Sequence, residues 1–307
     1  MNSVPDAGIL PGVLGSVSVD MDGFAAMYRT RGWTVPATVR DLNCVWSDAM
    51  PRFLDLFAET GVRATFFVVG EDALPRANRT LIERAVREGH EIANHSMRHL
   101  HLPTLPLAQA EREVVEAEDA IATASGSRPR GFRSPAWMPT DALLDLLAAR
   151  GYRYDASVFP TPWLSAWRSL PTLRKFPPRF TRGLDWPWAF SPRAPHPVRG
   201  ALWEVPASTL PLARLPVWGT LLHWLGPDAF RLLTRAAATD VPLSMVLHGW
   251  EVVDFDLLGD RRFLQKPGIE RPVDARVAIL RASLLWMKAR WDLRTIDELV
   301  GAWSADA

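Results

Sequence analysis

The stretch His90–Leu102, HEIANHSMRHLHL, puts three imidazoles, His95, His99 and His101, within seven residues. His95 and His99 stand four apart, so on a helical turn, or on a loop folded back in the same way, both face one direction. Two neutral imidazoles so placed can enter the coordination sphere of one metal ion, and an oxygen ligand from elsewhere would complete a hydrolytic site. The competing reading is a polar surface turn with idle histidines, since His-x-x-x-His arises often by chance. A second segment bears on the choice. Asp20 and Asp22, in Asp-Met-Asp-Gly23, are two apart, and on an extended strand both carboxylates project to the same face. Such a pair can divide the work, one carboxylate binding a metal and the other acting as a base. A solvated turn is again the plainer alternative.

The elements that would carry these residues alternate between strand and helix. Leu14–Val19 reads as a strand that ends in the Asp-Met-Asp-Gly turn, residues 24–44 look irregular, and 47–60 is a helix closed by Gly61. Residues 64–69 form a buried strand, 78–88 a helix, 91–93 a short strand, and 107–124 a third helix. Strands at 130–133 and 152–158 flank a helix that Thr140 caps. The rhythm resumes with strand 201–205, a helix over 218–238, strand 242–248, a helix over 273–290 and strand 292–296. Parallel strands covered by helices follow from this alternation. The fold class expected is α/β, a distorted (β/α) barrel of about seven parallel strands. No repeat or low-complexity linker divides the chain, so one domain over residues 10–303 is expected, with an insertion at 160–225. In such a barrel chemistry collects at the carboxyl ends of the strands. Those ends deliver Asp20, Asp22, His95, His99, Arg133, Asp155 and His248 to one rim.

Taken in chain order, these segments resemble the polysaccharide deacetylase family (carbohydrate esterase family 4, the NodB homology domain). Ser18-Val-Asp-Met-Asp-Gly23 resembles its first motif, His95-Ser-Met-Arg-His99 its second and Arg133-Ser-Pro135 its third. Tyr154-Asp155-Ala-Ser157 is similar to the fourth, and Met245-Val-Leu-His248 to the fifth. The resemblance covers roughly residues 14–300. It implies that Asp22, His95 and His99 hold one divalent metal ion, zinc first, with cobalt, nickel or manganese as alternatives. It implies further that Asp20 is the general base, that Arg133 orients and tunes it, and that His248 is the acid that protonates the leaving nitrogen. Trp137, Asp155, Trp250 and Glu251 adjoin these motifs and are expected to contact substrate, with Asp155 alternatively paired to His248 or Arg133. Met21 departs from the family's adjacent Asp-Asp. The Asp-x-Asp spacing is similar to a branch that includes hydrolases of cyclic imides and small amides, and deformylases of lipid-linked amino sugars.

The implied reaction is removal of an N-acetyl or N-formyl group from an amino sugar. The alternatives are hydrolysis of a small cyclic amide or imide, and a non-catalytic sugar-binding barrel. Composition narrows the partners. Lys+Arg of 35 against Asp+Glu of 34 gives no global pull toward nucleic acid, and the chain has no nucleic-acid reading module. Cys44 is alone, so no disulfide forms within the chain. The first residues lack a basic start and a long apolar run, so no secretory signal is expected and cytoplasm is the default. No run of about 18 apolar residues suggests a spanning helix. Seven of the 14 Trp lie between Pro160 and Leu225. Between Trp167 and Arg199 stand Arg168, Arg174, Lys175, Arg179, Arg182, Arg193 and Arg199, against a single acid, Asp185. Such a basic, aromatic arm suits a phosphorylated or polyprenyl-phosphate-linked sugar, or peripheral contact with the inner face of a membrane, and equally suits a packed cap over the barrel. A stretch like Leu202–Thr209 is similar to one in family members from bacterial polysaccharide biosynthesis. His90 and His101 read as bystanders, and oligomeric state has no sequence signal.

Overall fold

A computed structural model describes residues 13–169, 186–237, 241–265 and 268–306. Nine strands make one sheet: β1 (Leu14–Met21), β2 (Thr65–Val68), β3 (Glu91–Asn94), β4 (Gly131–Phe132), β5 (Tyr154–Asp155), β6 (His196–Arg199), β7 (Leu202–Glu204), β8 (Leu243–His248) and β9 (Asp292–Arg294). Their order is β6-β7-β5-β4-β3-β2-β1-β8, with β9 added to β1. Every pairing is parallel except β6 with β7. The sheet curls toward closure where the chain after β7 meets β8. There Ser208 N–H donates to the Ser244 carbonyl (3.1 Å) and Ser244 N–H to Ser208 Oγ (2.8 Å). The expected barrel of parallel strands is present, with an antiparallel edge that the alternation did not reveal. Residues 196–204 of the expected insertion are strands of the sheet itself.

Helices α1 (Phe24–Arg31), α2 (Met50–Thr60), α3 (Arg76–Arg87), α4 (Leu107–Ser125), α5 (Asp141–Ala149), α6 (Pro162–Ser169), α7 (Gly219–Leu225), α8 (Pro227–Ala237), α9 (Phe255–Leu258), α10 (Val273–Lys288) and α11 (Ile296–Asp306) connect the strands. Two expectations change. The stretch read as irregular contains α1, whose Phe24, Met27 and Tyr28 are buried and whose end is closed by Gly32 at φ 62°. The single helix expected over 218–238 is two, because Gly226 and Pro227 break it: proline cannot donate its nitrogen to the preceding turn.

Strand β1 shows how sequence parity divides the molecule. Val17, Val19 and Met21 join a core with Phe53 and Phe57 of α2 and Leu284 and Met287 of α10. Ser16, Ser18 and Asp20 take the opposite face, inside the barrel. At the amino ends of the strands that interior is plugged. Ile296, Leu299 and Val300 of α11 pack on Phe67, Ala93 and Tyr154, and Ile296 N–H donates to Thr65 Oγ1 (2.9 Å). Each large side chain so buried contributes about 1.5–3 kcal/mol. With the floor closed, only the carboxyl ends remain for a site. Cys44 is buried in the main core, its thiol pushed up to about 12, chiefly by burial, so it stays a protonated packing group.

Candidate active site

The His95–His99 segment is a loop, not a helical turn. Ser96 and His99 adopt left-handed backbone (φ 64° and 54°), a conformation disfavoured for residues with a Cβ and held here by local bonds. Ser96 N–H donates to Asn94 Oδ1 (2.8 Å), His99 N–H to Ser96 Oγ (3.1 Å), and Arg98 N–H to Glu113 Oε2 (2.7 Å). Asn94 is itself anchored by donating to the Val114 carbonyl and to the Tyr152 hydroxyl. The folded-back loop points both imidazoles at the end of β1.

There Asp22 Oδ1 lies 3.2 Å from His95 Nε2 and 3.3 Å from His99 Nε2. The loop carrying Asp22 is tight: a Cβ on Gly23 would lie 2.6 Å from the Asp72 carboxylate. His95 Nδ1–H donates to the Arg133 carbonyl (2.7 Å), leaving Nε2 as the atom that faces Asp22. Asp22 Oδ1 is buried with no hydrogen-bond partner, although two ring nitrogens crowd it. A cation among the three satisfies all of them. The donor atoms lie within 4.8 Å of one another, and ligands about 2.0–2.1 Å from a tetrahedral zinc stand about 3.3 Å apart. The residues present therefore fit a divalent metal ion. Burial alone would raise the Asp22 carboxyl, but the imidazoles of His99 and His95 hold it far below the usual carboxylate range. Burial pushes His99 down to about 4, while for His95 burial is outweighed by Asp22, Asp20 and the Arg133 carbonyl together, which lift it. His99 is thereby a neutral imidazole, the form that ligates metal.

Asp20 is 2% exposed and in close ion-pair contact with Arg133, which is fully buried. That guanidinium is held through Nε, Nη1 and two aromatic faces. It donates to Ser18 Oγ (3.0 Å) and to the Ala156 carbonyl (2.9 Å), and lies 3.9 Å from the Phe67 ring centroid and 4.4 Å from that of Trp137. The other oxygen of Asp20 lies 4.0 Å from His248 Nε2. His248 ends β8 directly beside Asp20 in register. Its ring tilts over Trp250 at 5.4 Å and meets the edge of Trp218 at 6.2 Å.

Six of the seven polar rim residues thus converge: Asp20, Asp22, His95, His99, Arg133 and His248. Asp155 is turned away, its carboxylate accepting from Ser157 Oγ (2.5 Å) and sharing a hydrogen bond with Glu204. Asp155 and Glu251 are fully enclosed and face protein groups, while Trp137 and Trp250, at 9% and 4% exposure, pack against Arg133 and His248. His90 accepts from Ala64 N–H (3.0 Å) and is a structural histidine. Sequence reasoning missed Glu204 and His223. Their contacts span strand and helix pairings with no spacing signal, although Glu204 falls in the Leu202–Thr209 stretch already singled out. Of the basic arm, Arg174, Lys175, Arg179, Arg182 and Asp185 lie outside the described residues.

Residues 35–154 match the family model of polysaccharide deacetylases. A chitooligosaccharide deacetylase of Sinorhizobium fredii is 40% identical over 115 residues, which cover 37% of this chain and 53% of that protein. A peptidoglycan-N-acetylglucosamine deacetylase of Bacillus cereus is 31% identical over 85 residues, 28% of this chain and 30% of that one. The chain spans about half the length of the chitooligosaccharide deacetylases it matches. Among solved structures, a Mycobacterium smegmatis protein assigned to the polysaccharide deacetylases superposes with a TM-score of 0.62 at 19% identity, over 99% of this chain and 93% of that one. The allantoinase Puue gives 0.60 at 17% identity, over 96% and 92%. At these identities the structural likeness speaks to the fold alone.

Proposed function

We propose that the chain, whose residues 35–154 match the polysaccharide deacetylase family model, hydrolyses the amide of an N-acetylated amino sugar with the help of one divalent metal ion. The observation that carries this reading is the juxtaposition of the Asp22, His95 and His99 donors with Asp20 and His248, an oxygen and a nitrogen 4.0 Å apart. A divalent ion held by those three donors, zinc first, supplies Lewis acidity for the amide carbonyl and for water. Asp20 takes the proton of the attacking water, and its close contact with Arg133 fixes which oxygen remains free to do so. His248 gives a proton from Nε2 to the nitrogen, without which an amine is a poor leaving group. Phe159 meets Trp218 edge to face and Trp137 at a tilt, Trp218 meets His248 edge to face, and together these rings form a wall suited to a sugar ring.

The names of the relatives favour an acetyl over a formyl group and a glycan over a cyclic imide. A finer reading gives the sugar a polyprenyl-phosphate carrier and the protein a peripheral membrane contact. It draws support from Trp163, Phe190 and Leu212, which are 54%, 66% and 98% exposed. Trp163 Nε1–H donates to the Ala213 carbonyl (2.6 Å), which brings the first of them to the Leu212 turn. Among the described residues, no helix is long and apolar enough to cross a membrane.

The deciding experiment measures bound metal and acetate release from N-acetylated chitooligosaccharides, side by side for the wild-type protein and His99→Ala. We expect about one divalent ion per chain and acetate release in the wild type. Both should be lost in a variant whose circular dichroism is unchanged. Full activity in His99→Ala overturns the site. Metal uptake with no acetate from any N-acetyl sugar overturns the substrate class.

A further inference from the structure

Glu251 follows β8 in the turn Gly249–Val252 and is fully buried. A carboxylate removed from water needs a partner of opposite charge or a set of donors. Arg276 is close, but its guanidinium is committed to backbone: it donates to the carbonyls of Glu251 (2.6 Å), Val253 (2.7 Å) and Arg271 (3.0 Å). Among the described residues, the ionisable side chains within 4 Å of the Glu251 carboxylate are two imidazoles. His248 Nδ1 lies 3.6 Å from Oε1 and His223 Nε2 lies 3.7 Å from Oε2. The second imidazole arrives on α7, from the Trp- and Pro-rich region, and is itself fully buried. The same helix starts at Gly219, where a Cβ would lie 2.1 Å from Glu251 Oε2, so the carboxylate occupies the space a side chain there would take. On the far side of His248, Nε2 faces Asp20.

We propose that Glu251 is the positioning residue of His248, holding Nδ1–H toward itself so that Nε2 presents its proton to the leaving nitrogen, with His223 bracing the second carboxylate oxygen. This rests on the reading in which His248 is the acid. It takes that pairing from Asp155, which is bonded instead to Ser157 and Glu204, and it makes α7 part of the machinery. The proton inventory closes. Water gives one proton to Asp20 as its oxygen bonds to the carbonyl carbon. Imidazolium His248 gives its Nε2 proton to nitrogen as the carbon–nitrogen electron pair moves there. Asp20 then returns its proton to His248 across the 4.0 Å gap, while Nδ1–H stays on Glu251 throughout.

The test is nitrogen-15 spectroscopy of the histidine rings, with kinetics on N-acetylated chitooligosaccharide, for wild type, Glu251→Gln and Glu251→Asp. In the wild type we expect neutral His248 to carry its proton on Nδ1, facing Glu251. Glu251→Gln should keep metal and KM, lower kcat by about 100-fold or more, and move neutral His248 away from the Nδ1–H tautomer. Glu251→Asp, which keeps the charge, should recover part of both. A His248 spectrum unchanged by Glu251→Gln overturns the proposal even where deacetylation is confirmed. Should that variant fail to fold, a wild-type His248 lacking the Nδ1–H tautomer overturns it equally. Absence of deacetylase activity together with a Glu251-dependent His248 spectrum supports the pairing and faults the substrate reading instead.

Discussion

Asp155 and Glu251 are both fully buried carboxylates, one within the segment similar to the fourth motif and one just beyond the fifth, and they end in opposite electrostatic states. Burial disfavours the charged form of each. Around Asp155 it prevails: the carboxyl is pushed up to about 6, chiefly by burial, and the hydrogen bonds from Ser157 and Glu204 only moderate the rise. Glu204, equally buried and facing Asp155, is raised well above the usual carboxylate range. Two carboxyls sharing a site hold a proton between them. Around Glu251 burial loses, because His223 and His248 face the two oxygens and bring the carboxyl below its ordinary value. The lesson is that in one barrel the partner, rather than depth, decides whether a buried acid is charged. The charged acids, Asp22 and Glu251, touch the histidines of the candidate site, whereas the proton-sharing pair ties β5 to β7.

If charged acids serve turnover and the proton-sharing pair serves the fold, substitutions should separate the two. The largest effect belongs to Asp20→Asn, which removes the proposed base and leaves Arg133 without its ion-pair partner. Turnover should fall about 10²–10⁴-fold with metal content kept. Thermal unfolding should show a loss of about 3–5 kcal/mol for the unpaired buried guanidinium. Unchanged turnover would give the base role to another group. Glu204→Ala comes next. It strips Val158 N–H of its acceptor at 2.9 Å and Asp155 of its partner, so stability should drop by about 1–3 kcal/mol in a denaturant titration. Glu204→Gln mimics the protonated acid and should change stability by less than about 1 kcal/mol, with KM unaltered. A Gln variant as unstable as the Ala variant would mean that Glu204 is ionised in the folded protein, and the contrast with Glu251 would collapse.

Much of the site is legible in the amino-acid sequence, for reasons that are local. Asp20 and Asp22 are linked by strand parity, and His95 and His99 by spacing, so their convergence follows once β1 and β3 are recognised in one parallel sheet. The choice between a helical turn and a folded-back loop is not legible, because left-handed Ser96 and His99 depend on Asn94 and Glu113. The contacts that decide charge leave no sequence signal. Glu204 meets Asp155 only because β7 pairs with β5, and His223 meets Glu251 only because Gly226 and Pro227 end α7 early and set its position. The antiparallel strand β6 escapes for a similar reason: a four-residue hairpin partner carries no alternation of its own.

The smallest expected effect is the pH dependence of stability, and it tests the comparison without any substrate. A carboxyl raised from 3.8 to about 6 contributes stability that is fully present below 3.8 and is lost as pH rises through about 6. His90 acts in the opposite sense. Burial pushes it down to about 4 from 6.5, so its contribution is present above 6.5 and is lost as pH falls through about 4. Between pH 4 and 6 the two slopes oppose each other and the wild-type melting temperature should change little on their account. Asp155→Asn keeps an acceptor for Ser157 but cannot ionise, so the Asp155 slope is removed. The difference in melting temperature, variant minus wild type, should therefore grow steadily more positive from pH 4 to pH 6 and then level off. Scanning calorimetry at half-unit steps reads it directly. A difference that stays constant over that window would mean Asp155 is charged when folded, and that Arg133, already paired with Asp20, neutralises both acids.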